Sequence, residues 1–309
     1  MERKKATVLH NPGAGEGETR KKELIKMIES AGFECSYSST KEFHWANIET
    51  AKTHFLILAG GDGTVRKVAE ELLTRKVIDR KLPLALLPIG TANNIAKTLG
   101  ITGRAEDIIS GWRKATIKDY DVGVIEGLDS PSFFLESFGF GLFPKLMIEM
   151  KKQKKNNIAD AKERLRAAWE ILHTLAVSGS AKKCRLQLDD IDCSGEFLLL
   201  EVMNIRSIGP NLHLAPDSDP GDGQFDIVFI SEKQRSSFAD YIQQKLDGRD
   251  VPFDFPVLKA HRLEVYWDGK HAHVDDEHYK LEEPSSIKID LRKGLLEFFI
   301  PPAMGGTTE

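Results

Sequence analysis

The run LAGGDGTV, Leu58 to Val65, closes an apolar stretch with two glycines, an aspartate, a glycine and a threonine. A buried strand that ends in such a loop belongs to an α/β sheet, where ligands sit beyond the carboxyl ends of the strands. Glycine lets the backbone come closer to a ligand than any other residue does. The neighbouring sequence repeats the pattern. ATVLHN reads as a strand, and Glu16 to Ala31 sets Leu24, Met27, Ile28 and Ala31 at helical spacing, with Gly32 as its stop signal. HFLIL is a second strand, and Val65, Val68, Ala69, Leu72 and Leu73 give an amphipathic helix after the loop. Asp62 therefore falls in a strand-to-helix turn, with Thr64 near the helix N-terminus. LPLALLPIGTANNIAKTLG then supplies another apolar run, Gly-containing turn and helical segment.

This alternation predicts an N-terminal doubly wound α/β lobe. The texture changes from about Tyr120, and the segment Val122 to Gly127 reads as a linker or lobe boundary. One long helix is predicted from about Ile158 to Val177, followed by the strands KKCRLQLDD, GEFLLLEVMNI, GQFDIVFIS, HRLEVYW and SSIKIDL. The second lobe is thus β-rich and sandwich-like. At 309 residues the chain suits two domains. Their expected extents are 1–124 for the α/β domain and 125–294 for the β-rich domain, with 295–309 packing back on the first.

Composition narrows the partners. With 41% hydrophobic and 29% charged residues and a net charge of -4, the chain lacks the basic excess of a nucleic-acid binder. Cys35, Cys184 and Cys193 have neither CxxC spacing nor a nearby His pair, which disfavours a zinc site or a disulfide framework and suits a reducing cytoplasm. The N-terminal residues lack the apolar core of a signal peptide. The longest uncharged run, Leu82 to Ala96, is too short and proline-broken to span a bilayer, so any membrane contact is expected to be peripheral. The lysines from Lys151 to Lys155 read as a solvated helix face in preference to an attractor of anionic lipid headgroups. His271, His273 and His278 read as polar strand residues in preference to zinc ligands.

Backbone N–H groups of a glycine turn at a helix N-terminus bind anions, of which phosphate is the usual one. Asp62 would repel a bare phosphate, which points to a Mg²⁺–nucleotide complex; the alternative is a pair of plain strand-to-helix turns. Asp62 shows no local structural partner, so the expectation is that Asp62→Asn leaves stability nearly unchanged. NPGAGEG is neither a Walker A loop nor a GxGxxG motif and reads as a structural turn. SDPGDGQ is a compact oxygen-rich turn, read from composition as an ordinary Asp-Gly turn.

In order and approximate spacing, NPGAGEG, GGDGTVRKV, LPIGTANNIAKTLG, PDSDPGDGQFDIV and VDDE resemble the diacylglycerol kinase catalytic-domain family, which includes bacterial lipid kinases and sphingosine and ceramide kinases. The resemblance runs from Val8 to about Pro301. GGDGT alone is shared with NAD kinases and phosphofructokinases, whereas LPIGTANN is more specific to the lipid kinases. The resemblance implies an active site in a cleft between the lobes, with ATP and Mg²⁺ as cofactors and a lipid acceptor, diacylglycerol or a relative, at the inner membrane face. It implies nucleotide contacts from Gly60, Gly61, Asp62, Gly63, Thr64, Val65, Arg66 and Lys67, from Gly90, Thr91, Asn93 and Asn94, and from Thr40. Asp62 would act through Mg²⁺. A structural Mg²⁺ would be held by Asp222 with the carbonyls of Asp219 and Gln224.

VDDE resembles the family's Asp-Gly-Glu element, which makes Glu277 the base for the acceptor hydroxyl, Asp275 its support and Asp276 dispensable. Extended backbone would turn Asp275 and Glu277 to one side; a turn at the family's glycine would ask Asp276 for positive φ. Lys67 stands where the family usually has Glu, Asn94 where it often has Asp, and Asp276 where it has Gly. Two other readings stay open: an NAD kinase-like enzyme with a soluble substrate, and a non-catalytic nucleotide-binding regulator.

Overall fold

The computed structural model describes residues 3–13, 19–41, 52–73, 81–128, 132–153, 161–209, 212–282 and 286–302. The chain divides into two compact units, Met1–Asp121 with Lys293–Glu309, and Val122–Arg292.

The first unit runs β1 (Lys5–His10), α1 (Thr19–Ser30), β2 (Glu34–Ser39), β3 (Phe55–Gly60), α2 (Asp62–Leu73), β4 (Leu84–Pro88), α3 (Asn94–Thr98) and α4 (Ala105–Gly111). The strands are parallel in the order β2-β1-β3-β4, with Val8 between Tyr37 and Ile57, and Leu58 beside Leu86. Every residue of β3 is buried, as expected of a central parallel strand covered on both faces. The outer strand β2, ECSYSS, is polar and half-exposed, which suits an edge. Gly32 ends α1 with φ of 85°, the left-handed conformation that glycine adopts without a Cβ clash. The chain's last strand returns to this sheet, where Phe298 pairs in parallel with Leu84 and Phe299 packs on Phe55, itself in contact with Phe33 and Trp112.

The remaining elements are β5 (Thr116–Glu126), β6 (Phe133–Phe134), β7 (Ser137–Gly141), α5 (Leu142–Gln153), α6 (Ala161–Ser178), β8 (Lys182–Leu188), β9 (Ile191–Asp192), β10 (Gly195–Met203), β11 (Ser207–Ile208), β12 (Leu212–His213), β13 (Phe225–Ser231), α7 (Arg235–Leu246), β14 (Val257–Ala260), β15 (Arg262–Trp267), β16 (His271–Val274), β17 (Glu277–Lys280) and β18 (Ser286–Ile300). The segment Val122 to Gly127, expected as a linker or lobe boundary, begins the second unit, and Val122 to Glu126 continue β5 with no break in the strand.

In the second unit β10 is central, antiparallel to β7, β8 and β13. Side chains alternate along a strand, so its two faces feed two cores. Leu200 and Val202 join an aromatic-rich cluster with Phe138, Phe140 and Trp267. Leu199 and Met203 face a second cluster built from Leu146 of α5, Leu172 of α6, and Phe238 and Ile242 of α7. Helix α5 carries Lys151 and Lys152 of the lysine run on its exposed face, as expected, but its start and the whole of α7 are not legible in the sequence. Pro144 in one and the polar run RSSFADYIQQKL in the other obscure the helical period.

Candidate functional site

In the first unit, parallel pairing brings the carboxyl ends of β1, β2, β3 and β4 to one edge of the sheet. Asn11 to Gly13, Thr40, Gly60 to Thr64 and Ile89 to Asn93 all follow those ends; the rest of NPGAGEG lies outside the described residues. The two Gly-Thr loops touch backbone to backbone. A Cβ on Gly90 would stand 2.4 Å from the Gly61 Cα, and the Ile89 N–H donates to the Gly60 carbonyl at 3.1 Å. A Cβ on Gly60 would stand 2.2 Å from Thr64 Oγ1, so that position also excludes a side chain.

Asp62 joins the loops. Its Oδ2 accepts the Asn94 N–H at 2.9 Å and its Oδ1 accepts the Ile95 N–H at 3.1 Å. The carboxylate thereby satisfies two of the orphan donors at the start of α3, although it belongs to the first turn of α2. The expectation that Asp62 lacks a structural partner is therefore corrected: its partners lie in the other loop. Asn93 supports the same arrangement with φ of 53°, its Oδ1 accepting the Gly90 N–H at 3.1 Å and its Nδ2 donating to the Gly90 carbonyl at 2.9 Å. Asn and Asp visit that conformation more readily than other non-Gly residues.

Thr64 is buried, and its hydroxyl has no hydrogen-bond partner among the described residues. Gly63 is exposed, with open space where a Cβ would stand. An orphaned hydroxyl and an uncovered glycine at the amino end of a twelve-residue helix fit a phosphate group. Asp62 is half-exposed, and a carboxylate oxygen is the usual ligand of a hard cation. Lys67 Nζ donates to the Thr40 carbonyl, tying α2 to the end of β2.

In the second unit β16 and β17 form a hairpin, with Asp275 and Asp276 in its turn and Glu277 the first residue of β17. The three acids do not form a carboxylate cluster. Asp275 is buried and points inward, where it accepts the Glu136 N–H at 2.7 Å and those of Leu135 and Ser137 at 3.1 and 3.3 Å. Asp276 and Glu277 are exposed, and Glu277 Oε2 accepts the Tyr279 hydroxyl. Positive φ falls on Asp275, at 50°, and not on Asp276. The residue in the family's glycine position therefore carries no left-handed strain.

A further pair beneath this turn is invisible in the sequence. Glu201 of β10 pairs directly with Gly139 of β7, which pairs with His273 of β16. Because Gly139 has no side chain, the Glu201 carboxylate crosses over it and meets His273 Nε2 at 2.7 Å; a Cβ on Gly139 would stand 2.3 Å from that carboxylate. His273 Nδ1 donates to the Asp275 carbonyl at 2.9 Å. Both side chains are fully buried. Burial opposes charge on His273, but Glu201 and the Asp275 carbonyl outweigh it and hold the imidazole above its ordinary value of 6.5.

The histidines do not converge. His271 and His278 hydrogen-bond each other at 2.9 Å, while His273 is taken by Glu201 and Asp275. In SDPGDGQ, Asp222 Oδ1 accepts the Gln224 N–H, the Asp219 carbonyl accepts the Asp222 N–H, and Asp222 Oδ2 lies 2.7 Å from Lys259 Nζ. That ammonium also lies 3.5 Å from Asp226. A divalent ion here would compete with Lys259 for the same carboxylate. The donor set does not fit a resident Mg²⁺ beside Lys259, and no step is assigned to this loop.

Comparison with known proteins gives this geometry its context. Residues 5–125 match the diacylglycerol kinase catalytic domain, and residues 150–289 match the YegS C-terminal NAD kinase beta sandwich-like domain. The chain belongs to the diacylglycerol kinase catalytic-domain family. It is 28% identical over 276 residues to a diacylglycerol kinase of Bacillus subtilis, covering 85% of this chain and 86% of that one. A crystal structure of a diacylglycerol kinase from Bacillus anthracis shares the fold, with a TM-score of 0.72 at 22% identity over 98% of this chain and 99% of that one. Of the departures from the family pattern, Lys67 is accounted for by its bond to Thr40, and buried Asn94 gives its backbone N–H to Asp62.

Two outcomes follow. Asp62→Asn keeps one acceptor but turns an amide N–H₂ toward a backbone N–H, so urea unfolding should show a loss of roughly 1–3 kcal/mol; unchanged stability would separate Asp62 from α3. Stability due to His273 is full below about 6.5, its unfolded value, and is lost as pH rises through the higher folded value. His271 and His278, lowered chiefly by burial, titrate in the opposite sense, so the readout is a difference. The stability advantage of wild type over Glu201→Gln should shrink from pH 6.5 upward, and a growing advantage would contradict the assigned pair.

Proposed function

We propose that the chain is an ATP- and Mg²⁺-dependent lipid kinase that transfers the γ-phosphate to a hydroxyl of diacylglycerol or a related lipid. The observation that carries this reading is the pair of Gly-Thr loops, locked by one carboxylate, in a chain of the diacylglycerol kinase catalytic-domain family. Gly61 and Gly63 offer backbone N–H groups and Thr64 its unpartnered hydroxyl to the polyphosphate, and Thr91 and Asn93 border the same surface. Asp62 would hold the metal. When bound, Mg²⁺ neutralises phosphate charge that a carboxylate would otherwise repel.

Glu277 takes the proton of the acceptor hydroxyl as its oxygen bonds to the γ-phosphorus and the bond to the departing ADP breaks. Its exposure leaves it open to an acceptor, and the inward Asp275 carboxylate and His273 hold the turn that carries it. Contact with the bilayer is peripheral, at its cytoplasmic face. Among the described residues no helix is long and apolar enough to cross a membrane.

The test is labelled ATP and Mg²⁺ with diacylglycerol, sphingoid, ceramide and NAD acceptors. Wild type should phosphorylate a lipid. Glu277→Gln should lower transfer about 10²–10⁴-fold while still binding ATP, and Asp276→Gly should retain it. Phosphorylated NAD would contradict the lipid reading, and nucleotide binding without product on any acceptor would make the chain a regulator.

A further inference from the structure

A cavity of about 450 Å³ in the second unit is walled by Lys145 of α5, Lys182 of β8, and Lys270 and His271 at the start of β16, with Ser180 and Asp268 beside them. The three lysines come from three distant segments, and no carboxylate among the described residues forms an ion pair with any of them. Three ammonium groups against the single Asp268 carboxylate leave the wall with two excess positive charges. Lys145 is half-buried, so its charge is partly desolvated as well as facing a like charge.

Such an arrangement costs stability until something supplies the opposite charge, and uncompensated charge in a concave wall is the mark of a site and not of a solvated surface. The electrostatics agree with the geometry. Burial, and then Lys182, lower Lys145 from its ordinary value. His271 is lowered by burial and by Lys280, Lys145 and Lys270, and His278, its hydrogen-bond partner, by burial, His271, Lys151 and His273. The imidazoles are thus biased toward neutrality first by burial and then by positive neighbours.

We propose that this cavity binds a phosphate-bearing anion, either the headgroup of an anionic phospholipid or a soluble phosphate. Ammonium groups on flexible stems suit a tetrahedral oxyanion, which they reach as point charges from several directions, and the Ser180 hydroxyl adds a neutral donor. A few hundred Å³ is room enough for a phosphate or a headgroup. The site is distinct from Glu277. His271 pairs with Lys280 at the open end of the β16–β17 hairpin, whereas Glu277 pairs with Val274 at its turn, three rungs or about 10 Å away. The proposal goes beyond the kinase reading and does not depend on turnover.

Neighbouring lysines on β8 provide the test. Lys182 lines the cavity, and Lys183, exposed on the opposite face of the strand, does not. The full chain and its Lys145→Gln, Lys182→Gln and Lys183→Gln variants are titrated with inorganic phosphate by calorimetry and sedimented with phosphatidylcholine vesicles with and without phosphatidylglycerol. Lys145→Gln and Lys182→Gln should each weaken binding about fivefold, while Lys183→Gln binds as wild type. Selective loss in the vesicle arm assigns a headgroup, and selective loss in the phosphate arm a soluble anion. Equal loss in Lys182→Gln and Lys183→Gln, or no binding of either probe by wild type, would overturn the site. Melting curves of each variant establish that it is folded.

Discussion

One carboxylate holds the nucleotide side of this protein together. Asp62 accepts the backbone N–H groups of Asn94 and Ile95, so the loop after β3 and the loop after β4 are fixed against each other by a charge-assisted pair of hydrogen bonds. The glycines follow from that constraint. Gly61 and Gly90 meet with no room for a Cβ on Gly90, and Gly60 gives way to the Thr64 side chain. The result is a surface of N–H groups whose shape does not depend on the ligand, the kind of preorganisation that favours binding of a charged group.

The second unit solves a related problem with a different device. A hairpin turn bearing an exposed glutamate is held from below by buried charge. The Asp275 carboxylate collects three consecutive N–H groups, and His273 links the Asp275 carbonyl to Glu201 across Gly139. Burying an ion pair is expensive unless its remaining groups are hydrogen-bonded, and one Glu201 oxygen has no partner among the described residues. The pair is therefore better explained by the turn that it positions than by stability gained.

The sequence revealed what is local. Strand, glycine loop and helix follow one another within about a dozen residues, so the α/β lobe and the loops containing Asp62 and Thr91 could be read from periodicity and turn residues. It concealed what depends on pairing at a distance. The partners of Asp62 lie in another loop, Glu201 looks like an interruption in the apolar run LLLEVM, and His273 looks like a surface residue of an alternating strand. Lys259 is equally remote from Asp222, whose turn reads as an ordinary Asp-Gly turn from composition and as a metal site only through the family resemblance. In VDDE, adjacency in sequence does not say which side chain a tight turn sends inward, and it is Asp275 that the hairpin buries.

The central claim is that the two Gly-Thr loops act as one phosphate-receiving surface. Backbone amide NMR during titration with Mg²⁺ and a non-hydrolysable ATP analogue tests it most directly. The account predicts that the amides of Gly61, Gly63 and Thr64 and those of Thr91, Asn93 and Asn94 shift together with one saturation curve. Shifts confined to one loop, or centred on residues away from both, would contradict it.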